Sequence, residues 1–129
     1  MVILVSSQAV QAPTNPLPKD DIRYYLIQEN SLRAIVGSLT TIEELIWTAS
    51  DKYGINYKRF KSMLNCECNL QKDHETCIGD RGFSFGRCQF KKPTFEANCE
   101  GDYYSEIDQI FCAAKMISEN KDYHWSCDY

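Results

Sequence analysis

Residues 53–68 read YGINYKRFKSMLNCEC, and the position of one acid in this stretch sets both the expected fold and the expected chemistry. Asn56 is a good helix N-cap, because its short side chain can accept a backbone N–H of the first turn. From there Phe60, Met63 and Leu64 recur at helical spacing. The same face continues to Glu67 and Cys68, while Cys66 sits off it. Glu67 is the only acid in residues 56–72, and it falls where the helix should be buried. A carboxylate there is costly to ionise, and the partial negative charge of a helix's last turn works in the same direction. Both raise its pKa. A glycosidase needs such a group: a carboxyl still protonated near neutral pH that can give its proton to a leaving glycosidic oxygen. The plainer alternative is a partly exposed Glu at a helix end, or one paired with a nearby Lys or Arg.

Upstream, Thr40 and Thr41 precede Glu43 and Glu44, so each Thr-x-x-Glu pair can form a capping box. Ile42, Leu45, Ile46, Ala49 and Tyr53 follow at helical spacing and Gly54 closes the segment, which predicts a helix over 41–53. A weaker helix is expected within 21–37, ending near Gly37. Residues 12–20, APTNPLPKD, have three prolines in nine positions and read as an extended linker. Met1–Ala12, MVILVSSQAVQA, resembles the tail of a signal peptide without its basic start. The expected organisation is therefore an N-terminal segment and linker over 1–20 and one domain over 21–129.

Downstream, GDRGFSFGRCQF (residues 79–90) has three glycines and a serine in a short loop that can bring backbone close to a ligand. Gln89 adds an amide donor and acceptor. The plain reading is a turn followed by an edge strand, with short strands near Ser84–Gln89. Gly82-Phe83-Ser84-Phe85-Gly86 matches G-x-S-x-G, but a nucleophile elbow needs a large α/β sheet with Asp and His downstream, and only His124 follows. The rest of 69–104 reads as loop. Ile107, Ile110, Phe111, Ala114 and Ile117 predict a last helix over 105–119 with Ser105 as its cap. The aromatic end, DYHWSCDY, reads as pinned to the body of the domain.

The chain carries seven cysteines, all between Cys66 and Cys127. In an oxidising compartment this is a disulfide framework with one thiol left over, and six cysteines alone allow fifteen pairings. In a reducing one, Cys66-x-Cys68…His74-x-x-Cys77 could instead bind zinc. The cysteines and the signal-like start favour an extracytoplasmic protein. No segment approaches the roughly 18 apolar residues of a membrane span. The net charge of −4 argues against general nucleic-acid binding. Arg81, Arg87, Lys91 and Lys92 nevertheless form an acid-free basic run over 81–92, whose plain reading is a solvated face.

A helix, a Tyr-Gly break, a second helix ending in Cys66-Glu67, then Gly79-Asp80, Ser84-Phe85-Gly86 and Gln89 resemble the soluble lytic transglycosylase and goose-type lysozyme superfamily. The closing Trp125-Ser126-Cys127 is similar to small secreted members. The likeness covers about residues 40–129. It implies a mainly α lysozyme-like fold (α+β with at most a small β element) stabilised by disulfides. It implies a monomer that cleaves the β-1,4 bond of peptidoglycan between N-acetylmuramic acid and N-acetylglucosamine, without metal or cofactor. Glu67 would be the single catalytic carboxyl. Ser84, Gly86 and Gln89 would line the substrate cleft, and Cys66–Cys127 would be bridged. The family has Ser after its Glu, where this chain has Cys68. It has a large apolar residue before its Gln, where this chain has Cys88. The competing readings are a non-catalytic glycan-binding or structural domain on the same fold, and a zinc-stabilised interaction module.

Overall fold

The computed structural model describes residues 17–28 and 35–129. The signal-like stretch, most of the proline-rich segment and the middle of the 21–37 helix expectation lie outside the described residues.

The protein is mainly α-helical with one small antiparallel sheet. In chain order the elements are α1 (Ile22–Leu26), α2 (Ile42–Tyr53), α3 (Tyr57–Glu67), β1 (Ile78–Gly79), β2 (Ser84–Phe85), β3 (Phe90–Lys91), α4 (Lys92–Asn98) and α5 (Glu106–Ser118). Single 3₁₀ turns lie at His74–Thr76, Asp80–Gly82 and Asp122–His124. Leu17, at the end of the proline-rich stretch, is 2% exposed and belongs to the core.

Of the two possible capping boxes at α2, Thr41 and Glu44 form the real one. Thr41 Oγ1 accepts the Glu44 N–H (3.1 Å) and Glu44 Oε1 accepts the Thr41 N–H (3.0 Å). Glu43 is freed for a different task. It accepts from Tyr57 Oη (2.6 Å) and Lys61 Nζ (2.6 Å), joining α2 to α3, while Trp47 stacks on Tyr57 with ring centroids 3.9 Å apart. Gly54, at φ 67°, ends α2 in the left-handed conformation that glycine adopts without penalty. Asn56 then caps α3 by accepting the Arg59 N–H (2.9 Å).

α5 is the core helix and packs chiefly on α2. The single apolar stripe expected over 105–119 understates it. Ile107, Gln109, Ile110, Phe111, Cys112, Ala113, Ala114, Met116 and Ile117 are all buried, because α2 covers one side and α4 with the sheet region covers another. Helix α4, in a region expected to be loop, begins with Pro93 in its first turn, where the missing N–H costs nothing, and buries Phe95. The sheet has the order β1-β2-β3, with Gly79 opposite Ser84 and Phe85 opposite Phe90.

Three disulfides fasten this frame: Cys66–Cys127, Cys68–Cys77 and Cys99–Cys112. The first ties the end of α3 to the C-terminal segment. The second ties the same helix end to the approach to β1. The third joins α4's end to α5. Cys88 is the odd thiol, fully buried in the apolar core, where burial pushes its pKa well up and leaves it inert. It fills the apolar position before Gln89 as a small hydrophobe.

Candidate active site

Glu67 is the last residue of α3, half-buried, and lines a cleft of about 560 Å³. The other walls come from the sheet and from the C-terminal segment. Gly79, Asp80, Ser84, Gln89, Phe90 and Lys91 supply the first, and Tyr123, His124, Trp125 and Ser126 the second. Thr94 of α4 completes the lining.

The carboxyl of Glu67 is held by backbone. Its Oε2 accepts the Cys127 N–H at 3.0 Å. The bridge from Cys66, one residue before the acid, is what brings Cys127 there. Burial raises the Glu67 pKa above the ordinary carboxyl range. The Cys127 amide opposes that shift, the charge of Asp80 adds to it, and the Ser126 amide opposes it more weakly. The net direction is upward, which favours a carboxyl that still carries its proton.

Asp80, Arg81 and Gln89 are three of the four described non-glycine residues with left-handed backbone, at φ 51°, 57° and 51°. Such conformations cost of order 1–3 kcal/mol each and persist where surroundings fix them. At Asp80 and Gln89 the holding contacts are visible. Ser84 Oγ donates to Asp80 Oδ2 (2.9 Å), and Gln89 Nε2 donates to the carbonyls of Cys77 (3.0 Å) and Gly86 (2.9 Å). Gln89 therefore spends both amide protons on the fold and keeps its carbonyl oxygen. That oxygen lies against Gly79, where any Cβ would collide with it. Lys91 Nζ sits 4.0 Å from Asp80 Oδ2 at the exposed edge of the cleft.

Of the residues expected from sequence, Glu67, Ser84 and Gln89 meet in the cleft, and Cys66–Cys127 is formed beside them. Gly86 does not line it. It is buried behind the sheet at φ 88°, and a Cβ there would strike His74 and the Gln109 amide. Its role is to let the hairpin pack onto a buried polar cluster. His74 Nδ1 accepts the Arg87 N–H (2.7 Å), so Nε2 carries the proton and donates to the Tyr104 carbonyl (3.0 Å). Gln109 accepts from the Cys88 N–H (3.1 Å) and donates to the carbonyls of Phe85 (3.1 Å) and Tyr103 (2.8 Å).

Arg87 also departs from expectation. It does not belong to a solvated basic face; it is 4% exposed. Its Nε pairs with Glu106 (2.7 Å), and its other nitrogens donate to the carbonyls of Asn69 (3.1 Å) and Lys72 (2.7 Å). The zinc pattern fails on chemistry. Cys66, Cys68 and Cys77 are all in disulfides, and both ring nitrogens of His74 are occupied. Among the described residues no cluster of three or more His, Cys, Asp or Glu is arranged to hold a metal ion.

The C-terminal wall is rigidly held. Trp125 Nε1 donates to the Cys88 carbonyl (2.7 Å). Tyr129 Oη accepts the Asn56 N–H (2.7 Å), and Arg59 both donates to the Tyr129 backbone oxygen (2.6 Å) and lies over its ring (4.5 Å). Tyr123 and His124 were not singled out from sequence as cleft residues; their position depends on the turn that follows α5. No family model matches the chain, and neither a curated protein nor a solved structure matches it.

Proposed function

We propose that the protein is a peptidoglycan-cleaving glycosidase, a lytic transglycosylase or lysozyme-type muramidase acting on the β-1,4 bond between N-acetylmuramic acid and N-acetylglucosamine. The observation that carries this reading is Glu67: a half-buried carboxyl with a raised pKa, one oxygen held by backbone, facing a cleft large enough for sugar rings. Its proton goes to the glycosidic oxygen as the bond to the anomeric carbon breaks, with the substrate's own acetamido oxygen assisting at that carbon. The Glu67 carboxylate then takes a proton from the group that attacks next. The sugar's 6-hydroxyl gives an anhydro product, and water gives a reducing end. Asp80 is the other carboxyl lining the cleft. An inverting hydrolase needs a second carboxyl roughly 6.5–9.5 Å away to activate water, whereas the single-Glu route does not need Asp80.

The lysozyme-like reading of the fold belongs to the same proposal, and it rests on the order of Glu67, Ser84 and Gln89 around the cleft. Three disulfides, with no helix among the described residues long and apolar enough to cross a membrane, are compatible with an extracytoplasmic protein. We place it, as a monomer without cofactor, in the periplasm, the wall or the medium. The amide protons of Gln89, both spent on the fold, favour a second reading, a glycan-binding domain without catalysis, because they leave Gln89 only its carbonyl oxygen for reading substrate. Lysis of purified wall by the oxidised chain separates the two. Under the proposal Glu67→Gln abolishes lysis while the domain stays folded; equal lysis by that variant rules the mechanism out.

A further inference from the structure

Two aromatic rings in the cleft are left unused by the acid–base chemistry. Tyr123 is 72% exposed and His124 is also exposed. Their rings are stacked, with centroids 4.6 Å apart and planes within 30° of each other. Singly exposed aromatics are ordinary on a protein surface, and this chain has others, such as Tyr25 on α1. This pair differs in that it lies in the lining of the cleft that holds Glu67, on a backbone fixed from both sides.

On the N-terminal side the chain leaves α5 through Asn120 at φ 63°, with the Lys121 N–H on the Met116 carbonyl (2.9 Å). Lys121 Nζ then reaches Asn98 Oδ1 (3.3 Å). On the C-terminal side stand the buried Trp125 and the Cys66–Cys127 bridge. Between these anchors, the 3₁₀ turn closes through the Trp125 N–H to the Asp122 carbonyl (3.1 Å). The rings are thus presented to solvent by a pinned turn.

We propose that the Tyr123–His124 pair is a sugar-stacking platform, a subsite that takes the apolar C–H face of a pyranose ring of the glycan strand. A β-linked pyranose keeps its hydroxyls at the ring's rim and presents axial C–H groups on its faces. An aromatic face, negative at its centre, complements those slightly positive hydrogens and buries their apolar area at reduced entropic cost, because the turn that carries the rings is pinned and the rings stack on each other. The platform rests on the glycan-cleaving reading for its substrate class, and on its own geometry for its position.

The test is titration of the oxidised Glu67→Gln chain with chitohexaose, followed by calorimetry. Tyr123→Ala should weaken chitohexaose binding by roughly tenfold. Tyr123→Phe should stay within about twofold, since stacking needs the ring and not the hydroxyl. Tyr25→Ala, an exposed tyrosine outside the cleft, should change nothing. Unchanged affinity in Tyr123→Ala, equal loss in Tyr123→Phe, or no binding of chitohexaose by the Glu67→Gln chain each overturns the platform. Wall lysis reports separately on catalysis. A folded wild-type chain that binds chitohexaose through Tyr123 but lyses nothing keeps the platform and removes the enzyme. A chain that lyses wall but is indifferent to Tyr123 does the reverse.

Discussion

Under the proposed mechanism the Cys66–Cys127 bridge joins stability and chemistry in one bond, so its removal has two separable consequences. The bridged residues are 61 positions apart. Loop-closure entropy for a loop of that size is worth about 4 kcal/mol at room temperature. Cys66 is exposed and Cys127 only half-buried at the edge of the core, so the entropic loss is the larger part of what replacing both by alanine removes. The control is the Cys99–Cys112 bridge, whose 13-residue separation is worth about 3 kcal/mol by the same relation. Urea denaturation of the two double variants should show losses of at least those sizes, the buried Cys112 adding lost packing to the second. Activity, measured well below both unfolding midpoints, should respond differently. Cys127 supplies the N–H on Glu67 Oε2 and its segment covers the carboxyl, so the Cys66/Cys127 variant should lose activity at temperatures where it is folded. Burial is the largest influence on Glu67, so loosening that cover lets its pKa fall, and the alkaline limb of the activity profile should move to lower pH. The Cys99/Cys112 variant should keep its profile. Equal activity and equal pH profiles in both variants would refute the link between bridge and acid.

Arg87→Ala removes a buried cation from Glu106 and leaves the Asn69 and Lys72 carbonyls short of a donor; a loss of about 3–5 kcal/mol is expected in denaturant titrations, with Arg87→Lys recovering little because one ammonium cannot reproduce the fork. Gly86→Ala forces a Cβ into His74 and Gln109 at φ 88° and should cost at least about 2 kcal/mol, whereas Gly54→Ala, in open space at φ 67°, should cost only about 1 kcal/mol by thermal unfolding. Glu67 has a folded pKa above its unfolded one, so its contribution to stability is complete below the unfolded value and is lost as pH rises through the folded value. Glu67→Gln should therefore gain stability relative to the wild type between acid and neutral pH, read as a difference in unfolding free energy at the two ends. A difference that shrinks with rising pH would mean that Glu67 is not destabilised as an anion.

The helices that carry the site were legible because their signals are local. Thr41, Asn56 and Ser105 each cap the helix they announce. The periodicity of Phe60, Met63 and Leu64 put Glu67 on the face expected to be buried without any knowledge of neighbouring elements; in the structure it is half-buried at the end of that face. What stayed hidden depends on contacts distant in sequence. The spacing of seven cysteines does not choose among many pairings, so the bridge from Cys66 to Cys127 entered only through a resemblance. Arg87 looked like a surface cation because its partners, at Asn69, Lys72 and Glu106, come together only when the 68–72 loop and α5 flank the hairpin. Gly86 was placed in the cleft only by the resemblance; which side of the sheet it serves is decided by His74 and Gln109, which are distant in sequence. Helix α4 was missed because its seven residues, about two turns, bury only Phe95 and so show no apolar period. The pinned turn that presents Tyr123 and His124 follows from Trp125 reaching the Cys88 carbonyl, a contact across 37 positions.

The central claim is that Glu67 moves a proton in breaking a glycosidic bond. Mass spectrometry of purified peptidoglycan incubated with the oxidised chain tests it most directly. The account predicts glycan fragments cut between N-acetylmuramic acid and N-acetylglucosamine, ending in an anhydro or a reducing sugar, and none from Glu67→Gln under the same conditions. The same fragments from Glu67→Gln, or intact glycan from a folded wild-type chain, would contradict it.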